Sequence, residues 1–215
     1  MKHALFLCLA LVLGGGLVSD ANAGVVYPPA PDGGQKMISD FVGPILKQDP
    51  RFLGGFQMQD LTIASPYRDY WVPRLKDILA GKLLAATKHN GWTYLLMHGT
   101  NAVGESGLYP DPRTGNLRAS ELGRPTFHGA QLEAIRVAEQ LPQVQKEDYE
   151  VRHLKIPQLL FEAMWFHGAS DDIIIPLPNT FGRWNAFQPY TEREMLKLLK
   201  PEVVKKLKEP PGMID

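Results

Sequence analysis

The chain holds a single cysteine, Cys8, in 215 residues. One thiol cannot close an intramolecular disulfide, and it cannot supply a thiolate metal set or a redox pair. Charge of one sign is missing as well. The 23 basic and 23 acidic residues cancel, so nothing in the balance points to a nucleic-acid face or a basic membrane-surface helix, and no nucleic-acid partner is expected. Long apolar runs are also absent. The unbroken run from Ala4 to Leu13 falls well short of the roughly 20 residues a spanning helix needs.

That short run nevertheless carries a signal. Lys2 and His3 precede it, Gly14, Gly15 and Gly16 loosen it, and Ser19 and Asp20 turn the chain polar. Ala21-Asn22-Ala23 then presents the small residues that a signal peptidase pocket accepts. Residues 1–23 therefore read as a cleavable secretory signal peptide. The protein is expected to be exported, to the periplasm or beyond the cell, with no integral membrane segment left after cleavage. Cys8 lies inside the apolar run and not at the cut, which argues against a lipoprotein. From Gly24 onward there is no cysteine, so stability must come from an ordinary apolar core.

Residues 24–34 are rich in proline and glycine and read as an extended leader. Met37, Ile38, Phe41, Val42, Ile45 and Leu46 then recur at helical spacing, with Pro44 expected to kink or shorten the helix. Leu61–Ala64 is a short β-like run. Tyr67–Ile78 carries aromatic and branched residues, and Pro73 suggests an edge strand. Trp92–His98 is bounded by turns as a strand should be, Ala102–Leu108 is its expected return partner, and Tyr109–Phe127 reads as a long loop. The second half repeats the order. A helix over Gln131–Leu141 precedes strands at Tyr149–Ile156, Leu159–His167 and Asp172–Leu177. Thr191 with Glu194 forms a capping box for a C-terminal helix that Pro201 should divide.

The expected fold class is α+β: a helix packed on a curved antiparallel sheet, in two helix-plus-meander units over 35–127 and 128–215 that can form one domain. Tyr70, Val72, Leu75 and Lys76 match Tyr149, Val151, Leu154 and Lys155 at a constant offset, as duplicated units would. The architecture resembles the cystatin-like and PepSY-like group of small folds in outline, with no family motif matched.

Catalytic signatures are weak. His89, His98, His128, His153 and His167 lack the tight spacing of metal ligands on one helix face, so no metal and no cofactor are expected. Gly104-Glu105-Ser106-Gly107 has its second glycine one position early for a nucleophile elbow. Asp171-Asp172 sits at a hairpin turn, where adjacent side chains diverge. No catalytic residue is assigned. The densest contact chemistry lies between Pro176 and Tyr190, where Arg183, Trp184, Phe187 and Tyr190 combine aromatic area with polar handles. Tyr70 and Trp71 form a smaller group beside Pro73. These six are the expected binding residues, unless the loop folds back and buries its own aromatics. The preferred reading is a non-enzymatic exported protein that binds a protein, a peptide or an envelope component. The competing class is a periplasmic hydrolase built from dispersed His, Asp and Ser residues, which would need two or more histidines to converge on a carboxylate.

Overall fold

The computed structural model describes residues 23–123, 128–178 and 184–209. The expected signal peptide, apart from its last residue, lies outside them. Helical spacing builds α1 (Gly34–Gln48), which buries Ile38, Val42 and Leu46. The helix runs on through Pro44 instead of ending there. Pro44 and Asp40 are both exposed, so water can reach the carbonyl that proline leaves without a donor, and the buried stripe holds the helix together. The same holds at the other end of the chain. α4 (Glu192–Lys208) is continuous through the exposed Pro201, with Met195, Leu199 and Val203 buried on the opposite side.

Nine strands form one mixed sheet that is not closed into a barrel. They are β1 (Val25–Val26), β2 (Thr62–Ile63), β3 (Tyr67–Trp71), β4 (Lys88–His98), β5 (Asn101–Pro110), β6 (Leu117–Gly123), β7 (Tyr149–Ile156), β8 (Phe161–His167) and β9 (Asp172–Pro176). The spatial order is β6-β5-β4-β3-β7-β8-β9, with β1 beside β7 and β2 beside β4. Every pairing is antiparallel except β3 with β7 and β1 with β7. Each expected meander is present, and the parallel β3–β7 pair joins them back to back. Helices α2 (Leu75–Leu79) and α3 (His128–Glu139) complete the architecture.

The position of β3 corrects one expectation. It is a central strand, paired on both sides, because Pro73 falls just beyond its end: the Val72 N–H still bonds the Lys155 carbonyl at 3.0 Å, and the ladder stops there. A second correction concerns residues 109–127. They contain β6, whose mixed sequence, without β-branched or aromatic residues, hides a strand that backbone pairing to β5 defines. The leader is likewise drawn into the sheet through β1. The repeat at constant offset does not coincide with the ladder, which pairs Tyr70 with Leu154.

The sheet has two covered faces. On one, α1 packs over β4 and β5 through Ile38, Val42, Leu46, Tyr94, Leu96 and Leu108, while α2 and α4 cover β7 to β9 through Leu75, Ile78, Met195 and Leu199. On the other, α3 buries Ala134, Ile135 and Ala138 against Tyr67, Val151, Met164 and Ile173. Each of these large side chains contributes about 1.5–3 kcal/mol by leaving water. α4 docks through its cap as well as its stripe: the Thr191 hydroxyl accepts from the Glu194 N–H at 3.3 Å, and the Glu194 carboxylate accepts from the Thr191 N–H at 2.9 Å. Thr191→Ala should therefore lower stability by about 1 kcal/mol, read as a reduced midpoint in chemical denaturation with an unchanged slope.

Candidate functional site

α3 covers only part of its face. Where β3 and β7 approach their C-terminal ends, alternation turns Asp69, His153 and Lys155 towards that same face, with His153 edge-on to the Tyr67 ring at 6.0 Å at the border of the apolar cluster. Asp69 and His153 are register neighbours across the parallel pair, and each is 1% exposed. Asp69 Oδ2 accepts hydrogen bonds from Thr93 Oγ1 at 2.8 Å and from the Tyr109 hydroxyl at 2.7 Å. Its Oδ1 lies 3.2 Å from His153 Nδ1, and His153 Nε2 lies 3.2 Å from Glu162 Oε2. Both histidine contacts are off the line of a hydrogen bond, so they act as charge pairs. The Lys155 ammonium stands 3.5 Å from Asp69 Oδ2. Gln131 of α3 marks the border with the apolar half, accepting from the Tyr67 hydroxyl at 2.6 Å and donating to Glu105 at 2.8 Å.

Each of these groups is shifted by its neighbours. Burial favours the neutral acid at Asp69, but Lys155, His153 and Tyr109 outweigh it and hold the carboxyl well below its usual range. Burial and Lys155 push the His153 imidazole down, yet the flanking Asp69 and Glu162 carboxylates carry it above its ordinary value. Glu162 is lowered mainly by His153. Burial alone would lower Lys155, and the surrounding carboxylates raise it instead. Tyr109 is driven up by burial and by Asp69. The centre is thus an imidazole flanked by two carboxylates, with the Lys155 amine and the Tyr109 phenol beside it.

Backbone geometry positions the phenol. Gly91 and Gly107 leave the space that the Tyr109 ring occupies: a Cβ on Gly107 would come within 2.3 Å of that ring, and one on Gly91 within 2.5 Å. The ring lies across both strands and carries its hydroxyl to Asp69. Tyr109 and Lys155 also line a cleft of about 340 Å³, together with Asn90, Arg118, Ser120 and Glu121. Asn90 and Glu121 are both bulge residues. β4 carries the extra Asn90 opposite β3, and β6 carries the extra Glu121 opposite β5. Glu121 is held at φ 67°, the left-handed region that costs a residue with a side chain, and the Ser106 hydroxyl donates to its carbonyl at 2.9 Å. Bulges re-aim side chains, and both re-aimed residues here line the same cleft.

The residues singled out from the sequence fall elsewhere. Trp184 is buried, 8% exposed, with its ring edge-on to Phe161 at 4.8 Å. Tyr190 exchanges backbone hydrogen bonds of 2.8 and 2.9 Å with Ile174, so the end of the loop lies along β9. Phe187, at φ 61°, packs from the edge against the α3 face. Arg183 lies outside the described residues. Tyr70 stacks edge-on to Trp165 at 5.2 Å under the Arg152 guanidinium, and Trp71 is half-buried at the end of β3. The histidines disperse: His98 stacks on Phe56, His89 meets Trp92, and His167 bonds Asp172 at 2.8 Å on the face opposite His153. Of His128 only the backbone is described. Sequence reasoning named His153 but missed Asp69, Lys155 and Tyr109. The available signal was polar residues at alternate positions of otherwise apolar strands. Among the described residues no group of three His, Cys, Asp or Glu side chains could hold a metal ion.

No family model matches the chain, and no curated protein or solved structure is similar to it.

Two outcomes follow from this geometry. Asp69 stabilises the fold above about pH 4, the usual carboxylate value, and loses that contribution as acid protonates it. His153 contributes fully below about pH 6.5 and loses its contribution as pH rises through its elevated folded value. Thermal midpoints should peak between the two, with Asp69→Asn flattening the acid limb and His153→Gln the alkaline one. A wild-type midpoint that climbs steadily through the alkaline range would contradict the paired imidazolium. Separately, Trp184→Ala should cost about 3–5 kcal/mol, the loss of a buried indole, whereas a contact residue on the surface would leave the denaturation midpoint in place.

Proposed function

We propose that the protein is an exported, non-enzymatic binding protein whose ligand sits in the cleft over Tyr109 and Lys155, beside the edge strand β6. The observation that carries this reading is the geometry beneath that cleft: His153 is buried with a carboxylate at each ring nitrogen and offers neither nitrogen to the cleft. General acid–base catalysis needs a group that touches substrate and titrates near the working pH. Here the carboxyls are held down, the ammonium and phenol are held up, and the imidazole is buried with a carboxylate at each nitrogen. The two members of the centre that line the cleft, Lys155 and Tyr109, are both shifted upward, so a ligand meets the same ammonium and phenol at every encounter.

The Asp69–His153 contact is the one feature that favours a hydrolase. It stops short of a triad, since His153 Nε2 faces Glu162 where a serine hydroxyl would have to stand, and the Ser106 hydroxyl is engaged with the Glu121 carbonyl. The sheet edge keeps a place in the proposal, because β6 supplies Arg118, Ser120 and Glu121 to the cleft.

The protein isolated from the envelope or medium of its own host should begin at Gly24 and carry, in native mass spectrometry, a small-molecule adduct. Tyr109→Phe should lose the adduct while keeping the fold. A chain retained inside the cell with its first residues intact overturns the export part. A bare wild-type mass, with no small molecule raising the thermal midpoint, overturns the binding part.

A further inference from the structure

Opposite charges line the cleft without meeting each other. The Lys155 ammonium is on one side, and its nearest counter-charge among the described residues is Asp69 Oδ2 at 3.5 Å, longer than a usual N–H···O bond. The Glu121 carboxylate is on another side, exposed and without an ion pair among the described residues. The two feel each other's field, since Glu121 is among the carboxylates that raise Lys155. No ion pair joins them among the described residues. A molecule seated in the cleft would meet both a cation and an anion.

From this geometry we infer that the ligand is a small zwitterion of the α-amino acid type, with its carboxylate towards Lys155 and Arg118 and its ammonium towards Glu121. The inference rests on the cleft being the binding site. Each single-charge alternative meets a misplaced side chain. An anion would face Glu121, with Asp69 and Glu105 close behind it, and a cation would face Lys155 and Arg118. Arg118 is already tethered, 3.4 Å from Asp111, so it lends field more than a free fork of donors. Asn90 and Ser120 supply uncharged hydrogen-bonding groups, and Pro110 and Pro112 form an apolar wall for a short side chain. A volume of about 340 Å³ sits at the lower end of small-molecule sites, which favours a free amino acid over an oligomer. The backbone at Glu121 fits the same purpose. A strained bulge fixes the direction of that side chain before any ligand arrives, and a group fixed in advance loses less entropy on binding.

The test uses the full mature chain and three matched sets of probes: the twenty free L-amino acids, their N-acetyl forms, which lack the cation, and their amides, which lack the anion. Calorimetric titration should find at least one free amino acid that binds about tenfold or more tighter than either of its capped forms, the scale of a close charge pair. Glu121→Gln, an exposed position that does not endanger folding, should weaken the free amino acid by a similar factor and leave the N-acetyl form unchanged. If a capped form binds as tightly as its parent, or Glu121→Gln leaves the preference intact, the zwitterion assignment fails while the cleft survives as a binding site. If no member of the three sets binds, the zwitterion assignment is overturned. In that case a Tyr109-dependent adduct on the native protein would keep the cleft reading alive, and a bare native mass would remove both.

Discussion

Asp69 and His153 stand side by side on the one parallel pair that joins the two meanders, and the arrangement of the molecule turns on their contact. A buried carboxylate needs compensation, and while Thr93 and Tyr109 supply hydrogen bonds from its own half, the basic partners His153 and Lys155 come from the other half of the chain. The pair ties the register of β3 to that of β7. A slip of one residue would turn Asp69 to the opposite face, towards Trp165 and Arg152, and would leave His153 with the Glu162 carboxylate alone. The same pair explains why α3 covers only part of its face. An apolar helix stripe cannot lie on ions, so Gln131 closes the apolar half and the remainder is left to Tyr109, Lys155 and the bulged strands.

The fold was legible wherever periodicity had length to work with. The α1 stripe, the alternation of β7, the apolar run of β9 and the Thr191–Glu194 box all lie where their residues indicate. The misreadings share a cause. Pro201 reads as a divider, but on the solvent side of an amphipathic helix the carbonyl it leaves without a donor is open to water, and the buried stripe opposite keeps the helix continuous. Pro73 was weighed as an edge marker, although its place one residue past the ladder leaves the strand free to pair on both sides. β6 has neither a period nor branched residues, and what makes it a strand is the open edge of β5, which no local pattern records.

The site was less legible than the fold, for a physical reason. Asp69, Tyr109 and Lys155 sit in three strands that touch only once the sheet has closed, and nothing in their spacing announces the meeting. The aromatic loop drew attention because large rings with polar neighbours make good contact surfaces. Rings of that kind are equally good fillers for the open end of a sheet, and Trp184 takes that role against Phe161. The useful signal was quieter. Gly91 and Gly107, read together with Tyr109, are the mark of a ring laid flat across two strands, and a ring so placed brings its hydroxyl to a fixed point.

The parallel joint also governs the order in which the chain can mature. β4 to β6 and α3 lie between β3 and β7 in the chain, so until β7 docks one side of β3 has no neighbour. An unpaired strand invites any passing strand to add to it. Asp69 makes β3 selective during that interval, because an intruder would have to bury the carboxylate without a cation beside it. Only a strand that offers an imidazole and an ammonium at alternate positions satisfies it, and β7 carries both as His153 and Lys155. The ion network that later underlies the cleft therefore acts first as a password, admitting the correct strand and turning others away.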